Sequence, residues 1–100
     1  MKVVINRSVG ARFSMSAEGF NRLVELKSRV GDDNTPFEQS NFLYNLPRND
    51  RDLVRVVEEL GMAASADDAE LTVVEIPDTA EWSISDVVGF EYVKVNGNVL

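Results

Sequence analysis

Apolar residues recur along the chain with two different periods. The segment from Lys2 to Asn6 contains three consecutive β-branched residues, which predicts a strand that is buried on both faces and central in a sheet. Period-two alternation and β-branched runs bounded by turn formers predict four more strands, at residues 41–46, 70–76, 81–85 and 90–95. The pair Asn96-Gly97 favours a tight turn into a short terminal hairpin.

A period of three to four residues predicts two amphipathic helices. The first runs over residues 17–30, with Ser16 as N-cap and Gly31 as the stop. At this spacing lie Phe20, Leu23, Val24, Lys27 and Val30, and the apolar members of this set form the inward stripe. The second runs over residues 51–60, is capped by Asn49 or Asp50, and ends at Gly61. Its inward stripe is Leu53, Val56, Val57 and Leu60.

The resulting order, β-α-β-α-β-β-β, predicts the α+β class. We expect a two-layer sandwich in which a mixed sheet of about five strands carries both helices on one face. The 100 residues match the size of one domain, so residues 1–100 are interpreted as a single acidic unit. Residues 7–15, 32–36 and 62–69 are predicted to be connecting loops.

Composition removes several kinds of chemistry. The chain has no cysteine and no histidine, which excludes disulfides, thiolate or imidazole metal ligands and nucleophilic relays built on those side chains. The first residues hold too short an apolar run for a signal peptide, and no stretch approaches the roughly 20 apolar residues of a membrane span. These features predict a soluble protein of the cytoplasm, in a host cell if the chain comes from a phage.

The negative charge is concentrated in the C-terminal half. The net charge is -7, and beyond Val56 only Lys94 is basic against ten carboxylates. Such acidity disfavours direct binding to nucleic acid or to anionic membranes and allows a basic protein partner. The expected partner-binding residues are Asp67, Asp68, Glu70, Glu58 and Glu59. The alternative is a solubilising surface with no partner.

No catalytic residue, metal ligand or cofactor site is predicted. Asp32-Asp33 and Asp67-Asp68 are adjacent carboxylates in polar loops, where neighbours in sequence point apart and nothing raises one pKa selectively. A weak calcium site at residues 32–34 and a solvated turn are alternatives, of which the turn is favoured. Gly10 lacks the glycines and lysine of a phosphate-binding loop.

Two further groups have both a structural and a functional interpretation. Arg48, Arg51 and Arg55 could form a small basic patch, but the neighbouring Asp50 and Asp52 favour surface pairing. Residues 81–85 and 90–95 are predicted to form an antiparallel hairpin with its turn at 86–89. Its aromatic residues, Trp82, Phe90 and Tyr92, could pack in the core or at the sheet edge, with contacts across the strands, or form an exposed binding hot spot, and packing is favoured.

Several blocks of the sequence resemble a family of small uncharacterised phage and prophage proteins. The blocks span residues 1–6, 46–50, 53–61, 71–78, 81–82 and 89–91, whereas residues 7–15 depart from that family. The resemblance implies phage origin and no reaction. Small phage proteins are often inhibitors of host machinery, including anti-CRISPR proteins that look like nucleic-acid mimics.

Two functions follow as expectations. The first is a non-enzymatic, anti-CRISPR-like inhibitor that binds a host nucleic-acid-handling complex, such as a CRISPR effector, and occludes its basic surface. The alternative is a small phage accessory or regulatory protein that binds another protein through a sheet edge or its aromatic hairpin. Salt should weaken the first kind of binding steeply and the second kind little.

Overall fold

The computed structural model describes residues 1–28 and 46–100 and confirms the α+β class. Its elements in chain order are β1 (Lys2–Asn6), α1 (Ala17–Ser28), α2 (Arg51–Leu60), a 3-10 helix (Gly61–Ala64), β2 (Leu71–Glu75), β3 (Trp82–Val87), β4 (Phe90–Val95) and β5 (Asn98–Val99). The predicted end of the first helix, the loop at 32–36 and all but Leu46 of the strand predicted at 41–46 lie outside the described residues.

The described strands form two antiparallel sheets, so the expectation of one mixed sheet is wrong for them. In the first sheet Lys2 lies opposite Glu75 and Asn6 opposite Leu71. The second sheet has the order β3-β4-β5. The split has a local cause, because Pro77, two residues after the end of β2, has no N–H with which to extend the pairing. Ile76 still bonds to Met1, and residues 77–81 then pass to another layer, where β3 begins.

The sheet of β1 and β2 lies between the helices and the second sheet. Val4 belongs to the core on the helix side, with Leu53 and Val56. Val3 and Ile5 belong to the core on the other side, with Val93. The predicted burial of β1 on both faces is confirmed, because the helices cover one face and the second sheet covers the other. Within the described ranges β2 is the one strand paired with β1, and a third layer is added to the expected two.

Helix α2 has the predicted cap and most of the predicted inward face, although Val54 is also buried and Leu60 is only half-buried. Asp50 is the N-cap, accepting a hydrogen bond of 3.0 Å from the Leu53 backbone N–H, and Gly61 ends the helix at φ +58°. Leu53, Val54, Val56 and Val57 are buried. Full burial of one such side chain contributes roughly 1.5–3 kcal/mol, so this helix face fixes the middle sheet against the helices.

Helix α1 and the connector after α2 differ in part from what the spacing of apolar residues predicts. Ser16 caps α1 as predicted, since its Oγ accepts from the Gly19 N–H at 3.0 Å. The helix buries Leu23 and also Leu26, which the predicted stripe omitted. The connector expected to be irregular begins with the 3-10 helix. Over residues 1–28 and 46–100, neither helix is long and apolar enough to cross a membrane.

Candidate binding surface

The buried side chain of Asn6 joins three loops at one end of the sheets. Its Nδ2 donates to the carbonyl oxygens of Ser8, Ala11 and Gly89, at 3.3, 3.2 and 3.1 Å. Its Oδ1 accepts from the backbone N–H groups of Ser8 at 3.2 Å and Glu70 at 2.9 Å. Because every polar atom of this buried amide is paired, the loop at 7–15, the connector before β2 and the β3–β4 turn are held in fixed positions.

Arg48 and Glu91 form a mostly buried ion pair beside Asn6. Two guanidinium nitrogens of Arg48 donate to the two carboxylate oxygens of Glu91 at 2.7 and 2.9 Å. Glu91 Oε1 also accepts from the Asn6 backbone N–H at 2.7 Å. The guanidinium lies 3.6 Å from the centre of the Phe13 ring, a stacking geometry that favours arginine over lysine. The pair therefore fixes β4 to both β1 and the loop at 7–15.

A depression of about 380 Å³ opens between the loop at 7–15 and the β3–β4 turn. Its lining is Gly10, Ala11, Arg12, Phe13, Arg48, Asp86, Val88, Gly89 and Glu91. Among its charged groups, Arg48 and Glu91 are paired with each other, and Asp86 accepts a hydrogen bond of 3.2 Å from the Gly89 N–H. In the part of the chain that the structure describes, no group of three or more acidic side chains could hold a metal ion.

Three of the five carboxylates proposed for partner binding lie on one short connector. Asp67, Asp68 and Glu70 are exposed, and none forms an ion pair with a described residue. The backbone between them is ordered, because the Ala69 N–H bonds the Ala66 carbonyl at 2.9 Å and the buried Ala69 anchors the turn. The connector therefore presents three unneutralised negative charges from a fixed backbone.

The other two proposed carboxylates, Glu58 and Glu59, lie on α2 and are engaged in ion pairs. Glu58 accepts from Lys2 Nζ at 2.7 Å, a hydrogen bond that raises the pKa of Lys2. Glu59 accepts from Arg22 at 3.0 Å and from Arg55 at 3.3 Å. The hydrogen bond from Arg22 lowers the pKa of Glu59. Their charge is compensated within the chain, which distinguishes both residues from the connector carboxylates.

Of the three arginines considered as a basic patch, Arg48 is separated from the other two in the structure. Arg48 turns inward to Glu91, and Arg55 pairs with Glu59 one turn along α2. Asp50 and Asp52 pair instead with Lys27 of α1, at 2.9 and 3.1 Å. Burial of the Lys27 ammonium opposes its charge, but the hydrogen bonds from it to both aspartates raise its pKa overall. Arg48 is therefore not part of a patch, whereas Arg51 and Arg55 line one depression together with Glu58.

The three aromatic residues of the second sheet divide between its two faces. Trp82 packs against the core on the side of Val3 and Ile5. Tyr92 lies opposite Ser85, and Phe90 lies opposite Val87, on the face turned away from that core. Arg7 lies over the Phe90 ring, 5.5 Å from its centre. No two of the three aromatic residues are directly opposite each other. The favoured packing interpretation holds for Trp82, which packs in the core, while Phe90 and Tyr92 are half-buried on the other face.

Sequence reasoning missed the Asn6 network and the Arg48–Glu91 pair. An asparagine that ends a fully apolar strand run was the one available signal for a buried polar junction. No sequence signal relates Arg48 to Glu91, because 43 positions separate them. Comparison with protein-family models, curated proteins and solved structures gives no match.

Proposed function

We propose that this chain is a non-enzymatic binding protein that docks on a basic protein surface and occludes it. The observation that supports the proposal is the connector at 66–70, where Asp67, Asp68 and Glu70 are exposed and have no ion pair among the described residues. Exposed carboxylates on a fixed backbone attract arginine and lysine side chains and raise the rate of encounter with them.

Five basic side chains form ion pairs with carboxylates outside the connector, namely Lys2, Arg22, Lys27, Arg48 and Arg55. Among the described residues, Arg12, Arg51 and Lys94 form no ion pair with a connector carboxylate. The backbone of Arg7 contacts the connector, because its N–H donates to the Glu70 carbonyl at 2.9 Å. The Arg7 guanidinium, however, lies over the Phe90 ring. The negative charge at the connector is therefore available to a partner.

The connector is also held at both ends before any partner arrives. Ser65 Oγ accepts from the Leu71 N–H at 2.8 Å, and Asn6 Oδ1 accepts from the Glu70 N–H at 2.9 Å. A fixed connector loses little conformational freedom on binding, and that loss is a main cost of association. Preorganisation distinguishes this group of charges from a flexible acidic tail.

The resemblance to phage and prophage proteins narrows the class of partner. A host complex that handles nucleic acid has a basic surface for the phosphate backbone, and a carboxylate-bearing protein can cover that surface as a nucleic-acid mimic. An anti-CRISPR inhibitor is the most specific form of this proposal. The alternative, a solubilising surface, predicts no saturable partner.

A retention experiment with matched variants tests the proposal. The test variant neutralises Asp67, Asp68 and Glu70 by Asp→Asn and Glu→Gln substitution. The control variant neutralises Glu75, Asp78 and Glu81, which lie at the opposite end of the sheets and carry the same charge. Immobilised wild type and control should retain a host protein that duplex DNA displaces, and the test variant should not.

Equal retention by the test and control variants would show that the connector carboxylates do not bind the partner and serve only solubility. Retention that duplex DNA cannot displace would contradict the proposal that the occluded surface is one for nucleic acid. Salt should weaken the retention of wild type, because the interacting charges are exposed.

A specific observation favours a second candidate, binding through a sheet edge. β3 is an edge strand of the three-stranded sheet, and in the described ranges no strand pairs with its outer side. Its six residues contain no proline and no lysine, the residues that usually protect such edges. An added strand from a partner would bind there with little salt dependence, which separates this candidate from the first.

A further inference from the structure

The second sheet contains two tight turns with the same backbone geometry and very different residues. Asn96 and Gly97 have φ values of +51° and +86°. Val88 and Gly89, which connect β3 and β4, have φ values of +50° and +87°. Asn-Gly is the pair favoured for a two-residue hairpin turn, whereas valine is among the residues least suited to its first position.

Val88 is unfavourable in this turn for two independent reasons. Its branched Cβ crowds the backbone when φ is positive. Val88 is also 69% exposed, so the strained conformation buries little apolar surface within the protein. The same chain uses asparagine where the same geometry recurs, so the fold does not need valine there. A strained residue that gains nothing in the folded state points to a role outside it.

Two more exposed valines lie beside Val88. Val87 is 60% exposed and precedes it in the chain, and Val9 is 71% exposed on the neighbouring loop. The backbone N–H of Gly10 donates to the Val88 carbonyl at 2.6 Å, which joins the loop to the turn. We call Val9, Val87 and Val88 the valine tip.

The valine tip has a fixed position. Gly89 packs so closely on the loop at 7–15 that a Cβ at this position would overlap the carbonyl oxygen of Ala11. The Gly89 carbonyl accepts from Asn6 Nδ2 at 3.1 Å. The turn is therefore held by buried contacts while its three valine side chains remain exposed, a combination typical of a preorganised anchor for a partner.

The tip and the acidic connector are fixed to the same side chain. Asn6 donates to the Gly89 carbonyl with Nδ2 and accepts from the Glu70 N–H with Oδ1. Asn6 therefore bonds to Gly89, next to Val88, and to Glu70 of the connector, which places the valine tip and the connector at the same end of the sheets. A partner that contacts one group is placed to contact the other.

We propose that the valine tip docks on an apolar patch of a partner protein whose rim is basic. The carboxylates of Asp67, Asp68 and Glu70 match the basic rim, and the tip supplies the apolar contact that slows dissociation. This inference rests on the proposed function, because the same partner surface provides both contacts.

The first part of the test measures the stability of the isolated protein. Val88→Asn copies the turn at Asn96, so it should raise the folding equilibrium constant, by about fivefold, through relief of backbone strain. Val88→Gly is a second variant that also accepts a positive φ. Val99→Asn, at an exposed valine of β5 away from the tip, is the control and should give no gain. If neither Val88 variant is stabilised in urea denaturation, Val88 is not a strained residue and the proposal fails.

The second part measures binding to two defined probes, an amphipathic helical peptide of leucine and lysine and an oligolysine of equal charge. Wild type should bind the amphipathic peptide about tenfold more tightly, since that peptide also offers apolar surface. Val88→Asn should reduce this affinity to that for oligolysine, and Val99→Asn should leave it unchanged. Amide NMR shifts on titration with the amphipathic peptide should cover residues 67–70 and 87–89 together.

The outcomes separate this inference from the proposed function. Equal affinity for both peptides, or an amphipathic-peptide affinity that Val88→Asn leaves unchanged, would overturn the valine tip while leaving the acidic surface in place. Failure of either peptide to bind wild type, at low salt and with saturating peptide, would overturn the tip and the acidic docking surface together.

Discussion

Arg48 donates two hydrogen bonds to Glu91, at 2.7 and 2.9 Å, although 43 positions of sequence separate the two residues. The pair links the segment before α2 to β4 of the second sheet. Glu91 also accepts from the backbone of Asn6, so the carboxylate contacts both β1 and Arg48. Removal of the Glu91 carboxylate takes the acceptor away from both the Arg48 guanidinium and the Asn6 N–H, in a mostly buried setting.

Glu91→Ala should therefore lower the free energy of unfolding by about 3–5 kcal/mol, because it leaves the Arg48 charge uncompensated. Urea denaturation followed by circular dichroism measures the change. Arg55→Ala removes an exposed ion pair with Glu59 and should cost less than about 1 kcal/mol. Similar losses of unfolding free energy in the two variants would show that the buried Arg48–Glu91 pair stabilises the fold no more than an exposed pair does.

Replacement of Asn6 should loosen three separate loops at once. Asn6→Ala removes the side-chain partners of the Ser8 and Glu70 N–H groups and of three carbonyl oxygens. Unsatisfied buried groups cost about 1–3 kcal/mol each, less where water can enter. We expect faster hydrogen exchange at the amides of Ser8 and Glu70 together, beyond the change that global destabilisation produces. Faster exchange at only one of them would contradict a shared junction.

The helix α2 was predicted from sequence because its information is local. The cap at Asp50, the stop at Gly61 and the buried stripe all lie within a dozen residues of one another. The Asn6 network and the ion pair of Glu91 were not predictable, because their partners meet only after the two sheets have packed. The single mixed sheet failed for the same reason, since strand periodicity shows which faces are apolar but not which strands pair.

The features of the candidate surface also divide into those that local sequence predicts and those that depend on distant contacts. The exposed carboxylates of the connector followed from composition and turn chemistry. The pairing of Glu58 with Lys2 and of Glu59 with Arg22 did not, since each involves a residue from a distant element. The backbone strain at Val88 can be recognised only from its φ angle. The sequence predicts a turn at 86–89 but not which of its residues takes a positive φ.

Leu53→Ala tests the core beneath α2. The side chain is fully buried between the helices and the middle sheet, so the loss of apolar contacts and the resulting cavity should cost about 2–5 kcal/mol. Leu60→Ala, at a half-buried position on the same helix, is the control and should cost less. Thermal unfolding measures both, and equal effects would contradict the assignment of Leu53 to the centre of the core.

Glu59 should titrate below the ordinary glutamate pKa of 4.5, because Arg22 donates a hydrogen bond to it and Arg55 adds a second. A lowered folded-state pKa means that the stabilisation is present above the unfolded value and is lost as pH falls through the folded value. NMR titration of the Glu59 carboxyl carbon gives the midpoint. Arg22→Gln should move it up toward 4.5, and Arg51→Gln should leave it unchanged.

The last prediction concerns the kinetics of partner binding and follows from the exposure of the connector carboxylates. Charges at the edge of an interface act mainly on encounter, so neutralising Asp67, Asp68 and Glu70 should slow association more than it speeds dissociation. Neutralising Glu75, Asp78 and Glu81 changes the net charge equally but at the opposite end of the sheets, where Lys2 lies opposite Glu75. Its effect on association should be small.

Association and dissociation rates for both variants, measured against the retained partner at low and moderate salt, separate local from global electrostatics. Net charge alone predicts equal slowing by the two variants, because each removes three negative charges. A docking surface at the connector predicts that the variant at 67, 68 and 70 associates slowly and loses its salt dependence, while the control remains salt-sensitive like wild type. Equal slowing would assign the effect to the overall charge of -7 and not to the connector.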